Sequence, residues 1–105
     1  MIQEIRHYTL FPGMRDPMIE RFQAVNMPLF EKYSITVDQV WLHPSDENKF
    51  SFLMSFPSEE ARADSWRRYH EDPLFLEGKE AQATIIENIE WHVLTSAPEF
   101  EASRI

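Results

Sequence analysis

The sequence predicts an α+β fold: a ferredoxin-like βαββαβ antiparallel sheet with helices on one face, paired with a second copy as a dimeric α+β barrel. Three observations predict it. Four segments alternate apolar and polar residues as strands do. Helical three- and four-residue spacing separates the first strand from the second and the third from the fourth. Apolar side chains also occupy both sides of the strands, so helices on one face leave the other greasy.

The first strand is Ile2 to Leu10, closed by Phe11-Pro12-Gly13, where glycine suits the positive φ of a type II turn. Asp16-Pro17 has the form of a helix cap followed by proline at the first helical position. Met18, Phe22, Val25 and Leu29 then mark an amphipathic helix over residues 17 to 33, with a kink expected at Pro28. The β-branched and aromatic run from Ile35 to Leu42 is the second strand, and His43 to Asn48 is turn chemistry. Lys49 to Phe56 alternates strictly and completes an antiparallel hairpin. Ser58 caps a helix with Glu59 and Glu60 in its first turn, and Ala61, Ser65, Trp66 and Tyr69 form its buried stripe. Asp72-Pro73 starts another helical piece, from Leu74 to about Ile86, which Gly78 weakens by about 1 kcal/mol relative to alanine. Ile89 to Thr95 is the last strand. The reading is one domain over residues 1–98 and an irregular tail over 99–105.

The bare face is what predicts the dimer. Phe50, Phe52, Met54 and Phe56 line one side of the third strand, and Trp41 lies on the second. A sheet leaving several such side chains in water exceeds the few hundred Å² that monomers expose. A second copy packed sheet to sheet is the expected cover.

With 105 residues the chain is the size of one core. Its 18 acidic and 10 basic residues give a net charge of −8, with no basic cluster, which argues against nucleic acid and anionic membrane as partners. There are no cysteines, which removes disulfides, thiolate metal sites and a cysteine nucleophile. No signal peptide or membrane span is legible, and a cytoplasmic location is the expectation.

Candidate chemistry starts on the first strand. Ile2, Glu4, Arg6, Tyr8 and Leu10 share one side, so a carboxylate, a guanidinium and a phenol stand about 7 Å apart in a row. Inside a dimeric barrel Arg6 would clamp an anionic group and Tyr8 would donate a hydrogen bond, with Trp41 and His43 as further lining. The plainer reading is a structural ion pair and a satisfied tyrosine. His7, His43, His70 and His92 fall in no metal-ligand spacing, and no metal is expected. Trp66 and His70 stand four apart on one helix, an arrangement that haem-degrading barrels also use, but core packing explains it as well. The reading invokes no cofactor.

Glu4-x-Arg6-x-Tyr8-x-Leu10-x-Pro12-Gly13, the long helix with Pro28, Asn48 before the third strand and Asp72-Pro73 together resemble the NIPSNAP family over residues 1 to 98. The resemblance implies a dimeric α+β barrel shared with antibiotic-biosynthesis-type monooxygenases, and it implies no reaction. Family members often carry Trp-x-Tyr at the end of the third strand; here Met54 and Phe56 stand there, with Phe52 where a polar ring is common. The expected role is a homodimeric module that binds a small organic ligand or a partner. The alternative is a cofactor-independent monooxygenase acting on a small aromatic substrate.

Overall fold

A computed structural model describes residues 1–101, apart from the side chain of Glu101; the rest of the expected tail lies outside the described residues. The elements run β1 (Ile2–Leu10), α1 (Arg15–Arg21), a π-helical turn (Phe22–Asn26), α2 (Met27–Lys32), β2 (Thr36–His43), β3 (Asp46–Phe56), α3 (Glu59–Glu71), α4 (Pro73–Ile85), β4 (Ile86–Thr95) and α5 (Pro98–Glu101). The sheet order is β2-β3-β1-β4, with each neighbouring pair antiparallel, which is the ferredoxin-like arrangement.

Local chemistry explains most boundaries. Gly13 has φ of +82°, and the Met14 amide donates to the Phe11 carbonyl at 3.1 Å, closing the turn after β1. The next helix starts at Arg15, two residues earlier than the Asp16-Pro17 signal suggests, and Asp16 sits in its first turn rather than capping it. Pro28 lies at the start of α2, just after the π-helical turn. A wider turn there accommodates a residue that has no amide proton and whose ring crowds the carbonyl four residues back. The irregularity at this proline is therefore a change of helical pitch.

Ser34 ends this run with φ of +60°. The Ser34 amide donates to Glu31 at 3.2 Å and the Ile35 amide to Phe30 at 2.8 Å, the two bonds of a Schellman cap. Phe30 and Ile35 are both buried, giving the apolar contact that accompanies such a cap. Serine is strained in a position that suits glycine. Ser34→Gly is expected to raise the urea midpoint, by up to about 1 kcal/mol after the extra unfolded-state entropy of glycine is subtracted.

Ser58 Oγ accepts from the Ala61 amide at 3.1 Å and caps α3, and Asp72 Oδ1 accepts from the Leu74 amide at 2.8 Å and caps α4. Asp72 Oδ2 also receives the Tyr33 hydroxyl and, at 2.9 Å, Lys32 Nζ. These donors, Tyr33 foremost, hold the Asp72 carboxyl at about 2, below its ordinary 3.8. A carboxyl depressed in the fold adds stability above its unfolded value, and that stability is lost as pH falls through the folded value. The urea midpoint is expected to fall between about pH 4 and pH 2, and Asp72→Asn is expected to flatten that part of the profile.

The side of the sheet facing the helices is not the one the sequence suggested. Phe50, Phe52, Met54 and Phe56 are buried beneath the helices, where Phe22 meets Phe52 at 4.9 Å and Phe50 at 5.1 Å between ring centroids. The reason is general: the most apolar side of a sheet gains most from the helices its own chain supplies. β2 departs too. A register shift between Val37 and Gln39 sets Val37 opposite Met54 and Val40 opposite Phe52, so both valines share the helix side. Trp41 pairs with Ser51 on the open side.

The open side is consequently mixed. Leu53 and Ile5 are adjacent and half-buried at its centre, Trp41 and Leu94 are exposed, and histidines and hydroxyls fill much of the rest. The molecule measures 43 × 35 × 19 Å, one sheet and one helix layer thick. Its radius of gyration of 14.9 Å exceeds the about 13 Å of a compact domain of this length. No helix among the described residues is long and apolar enough to cross a membrane.

Candidate functional site

Because β1 lies between β3 and β4, its helix-facing row Glu4, Arg6 and Tyr8 sits in the middle of the layer between sheet and helices. Glu4 is fully buried. Its Oε2 accepts from Arg6 Nε at 2.5 Å, and its Oε1 accepts from Arg62 Nε at 2.6 Å and from the Trp66 indole at 3.0 Å. Arg62 continues to the exposed Glu59 at 3.0 Å. Two carboxylates and two guanidiniums thus close a balanced chain, and Glu4 has the structural part that the plainer reading gave it.

Arg6 has capacity beyond that chain. Its guanidinium lies over Trp66 at 4.1 Å and near Trp91 at 5.4 Å, both within cation–π range. Only Nε meets a carboxylate among the described residues, and the Tyr8 phenol feels the guanidinium's charge. Burial pushes the Tyr8 phenol up, with Arg6 pulling against it. Tyr69 is pushed by burial to about 12, against the opposing hydrogen bond from Asn26 Nδ2 at 2.9 Å. Both phenols therefore keep their protons at neutral pH and can donate.

The wall around this cluster is aromatic. Trp66 stacks on His70 at 5.6 Å, and Phe75 packs on Tyr69 at 5.1 Å and on His70 at 5.0 Å. Burial lowers the His70 imidazole, helped by Arg6 and Lys79, so it is neutral at pH 7. A cleft of about 320 Å³ opens between α4 and β4, lined among others by Phe75, Lys79, Gln82, Ile86 and Ile89. Ile89 pairs with Tyr8 and Trp91 with Arg6, so the cleft's β4 wall continues directly to the guanidinium. Trp91 is half exposed there.

The sheet separates the five residues singled out from the sequence. Glu4, Arg6 and Tyr8 lie beneath the helices, whereas Trp41 and His43 lie on the open side with Ile5, His7 and Ser51 around a hollow of about 240 Å³. They form two places, and the expected lining of Arg6 and Tyr8 by Trp41 and His43 is not found. Arg62 and Asn26 were not singled out from the sequence, and Trp66 was read as part of a buried helix stripe, not as a partner of Glu4. Arg62 and Trp66 belong to one face of α3, but only the tertiary fold brings that face over β1. Asn26 had no legible signal, since its inward position depends on the π-helical turn. No group of three or more histidine, cysteine or acidic side chains among the described residues is placed to hold a metal.

Sheet order, one helix layer and an arginine-centred polar cluster between them define a ferredoxin-like α+β protein with a buried ionic core. The NIPSNAP family model matches residues 3–99, and the chain belongs to the NIPSNAP family. It is similar to an uncharacterised NIPSNAP domain protein of Burkholderia xenovorans, with TM-score 0.83 and 20% identity over 92% of this chain and 95% of that one. A NIPSNAP family protein of unknown function from Agrobacterium tumefaciens superposes with TM-score 0.83 and 20% identity, covering 92% of this chain and 88% of the other. A putative antibiotic biosynthesis monooxygenase from Nitrosomonas europaea shares the fold more distantly, with TM-score 0.68 and 10% identity over 91% and 98% of the two chains. No curated protein matches the chain.

Proposed function

We propose that this NIPSNAP protein is a homodimeric module that binds a small organic acid beside Arg6. The observation that carries the reading is the state of that guanidinium. It is fixed by one bond to Glu4 and by stacking on Trp66, with its charge felt by the Tyr8 phenol at the edge of an aromatic wall. A carboxylate there would meet a preorganised cation, and a flat apolar body would lie along Trp91 and Ile89 toward Phe75. Lys79 in the cleft adds a second positive group.

The dimer rests on the open face. Ile5, Leu53, Trp41 and Leu94 present apolar surface that no described helix covers, on a molecule only two layers thick. A second copy across a two-fold axis would supply the missing layer. The monooxygenase reading has the fold alone in its favour, and a fold does not carry a reaction.

Titration of benzoate, followed by the indole resonances of Trp66 and Trp91, tests the ligand site. Arg6→Gln is expected to weaken binding at least about tenfold, the worth of one charge-assisted contact. A folded Arg6→Gln protein that binds as the wild type does would overturn the site. Oxygen uptake in the presence of the bound acid would move the reading to the oxygenase.

A further inference from the structure

Two buried polar atoms lack a hydrogen-bond partner among the described residues, Arg21 Nε and Asn26 Oδ1, and they stand at the two ends of the π-helical turn. The turn is what brings these side chains to one side of the helix. Its Met27 amide donates to the Phe22 carbonyl five residues back, so residues 21 and 26 come round to nearly the same face. In a regular α-helix they would stand about 140° apart. Buried polar groups are almost always satisfied, so a donor and an acceptor left over on one face call for a third polar group between them.

Their neighbours set them behind the cleft between α4 and β4. Arg21 Nη2 donates to the Gly78 carbonyl at 3.2 Å, and no carboxylate meets Arg21 among the described residues. Gly78 lies between Phe75 and Gln82 on one stripe of α4, and those two residues line the cleft. Asn26 is 4% exposed, and its Nδ2 donates to the Tyr69 hydroxyl at 2.9 Å. Tyr69 packs on Phe75 at 5.1 Å and on Trp66 at 5.3 Å, and the Arg6 guanidinium lies over Trp66. One indole therefore links Tyr69 to Arg6, and the Tyr69 phenol feels the charge of both arginines.

We propose that Arg21, Asn26 and Tyr69 form the far end of the Arg6 site and select an aromatic acid that carries a hydroxyl group, given the reading that an organic acid binds beside Arg6. The groups present choose the substituent. Tyr69 accepts from Asn26 and keeps its own proton at neutral pH. This end therefore offers two donors, Arg21 Nε–H and the Tyr69 O–H, and one acceptor, Asn26 Oδ1. A hydroxyl accepts from a donor and gives its proton to Oδ1. A second carboxylate has no proton to give and would meet Oδ1 oxygen to oxygen. A bare ring would leave all three groups unsatisfied, and a site built to bond a hydroxyl strongly rejects the analogue that lacks it.

Calorimetric titration of the whole chain with benzoate, 3-hydroxybenzoate, 4-hydroxybenzoate and terephthalate tests this. At least one hydroxybenzoate is expected to bind about tenfold or more tighter than both benzoate and terephthalate. Asn26→Leu and Tyr69→Phe should each bring that hydroxybenzoate down to the affinity of benzoate. A merely structural role would weaken all the acids by one factor and leave their ratio intact. Arg6→Gln should weaken every acid. Hydroxybenzoates no tighter than benzoate, terephthalate the tightest, or a preference that survives in both folded variants would overturn the far end while Arg6-dependent benzoate binding keeps the Arg6 site. A preference that depends on Asn26 but is indifferent to Arg6→Gln would overturn the Arg6 site instead. Binding of none of the four would overturn both.

Discussion

Replacing Glu4 with alanine is expected to cost about 3–5 kcal/mol, the penalty for leaving buried charges without their partner. The carboxylate is fully enclosed and receives Arg6, Arg62 and the Trp66 indole. Without it two guanidiniums, 12% and 15% exposed, face each other over an indole that has lost its acceptor. For a domain of this size the melting temperature should fall by about 15–30 °C. Glu4→Gln keeps an acceptor and the shape, so its loss should be smaller. Removing both sides of the network tells charge from packing: Glu4→Leu with Arg6→Met and Arg62→Leu should recover most of the loss, because apolar isosteres of a buried ion network are often nearly neutral. Thermal melts of the single and triple variants check this, and a triple variant no better than Glu4→Ala would mean that the site needs its shape more than its charge balance.

Phe52→Ala is the second large effect, about 3–5 kcal/mol. Phe52 has no exposed surface, and its ring meets Tyr8 at 5.3 Å, Phe22 at 4.9 Å, Phe30 at 6.0 Å and Phe50 at 6.1 Å. These neighbours come from β1, the π-helical turn, α2 and β3, so a cavity here loosens the sheet and the first helical run together. Rings fixed on four sides cannot collapse into the space, which puts the cost at the upper part of the range. Phe52→Leu, which keeps most of the volume, should cost less than half as much. Urea unfolding of both variants checks the ratio.

Strand alternation and the capping residues made the order of elements legible. Ser58 and Asp72 cap the helices they were expected to cap, and Gly13 takes the positive φ that its turn requires. Alternation divides a strand into two sides, but it does not say which side receives the helices. That is why the Phe50 to Phe56 row was placed on the bare face when it belongs to the core. Strict alternation would also set Val37 and Val40 on opposite sides, but one extra residue in a ladder reverses every side chain after it, and nothing local in Thr36-Val37-Asp38-Gln39 announces the shift. The Glu4, Arg6 and Tyr8 row was legible as a row, since spacing on one strand suffices. Its partners Arg62 and Trp66 were not, because they arrive from more than fifty residues away. The His7 and His43 pair shows the same limit, since their connection runs through Ser51 on a third segment of chain.

Gly78 gains a reason that helix propensity alone could not supply. A side chain at this position would stand 2.1 Å from Arg21 Nη2, which donates to the Gly78 carbonyl at 3.2 Å. Absence of a Cβ lets that arginine cross α4 and tie the first helical run to it. The weakness of glycine inside a helix is offset here by an inter-helix contact.

Native mass spectrometry of gently purified protein tests the central claim most directly, because it reads assembly and occupancy together. The account predicts a particle of twice the chain mass that carries a small acidic molecule on each subunit, with the molecule absent and the dimer retained in Arg6→Gln. A single chain without a ligand, or a dimer whose bound mass is indifferent to Arg6→Gln, would contradict it.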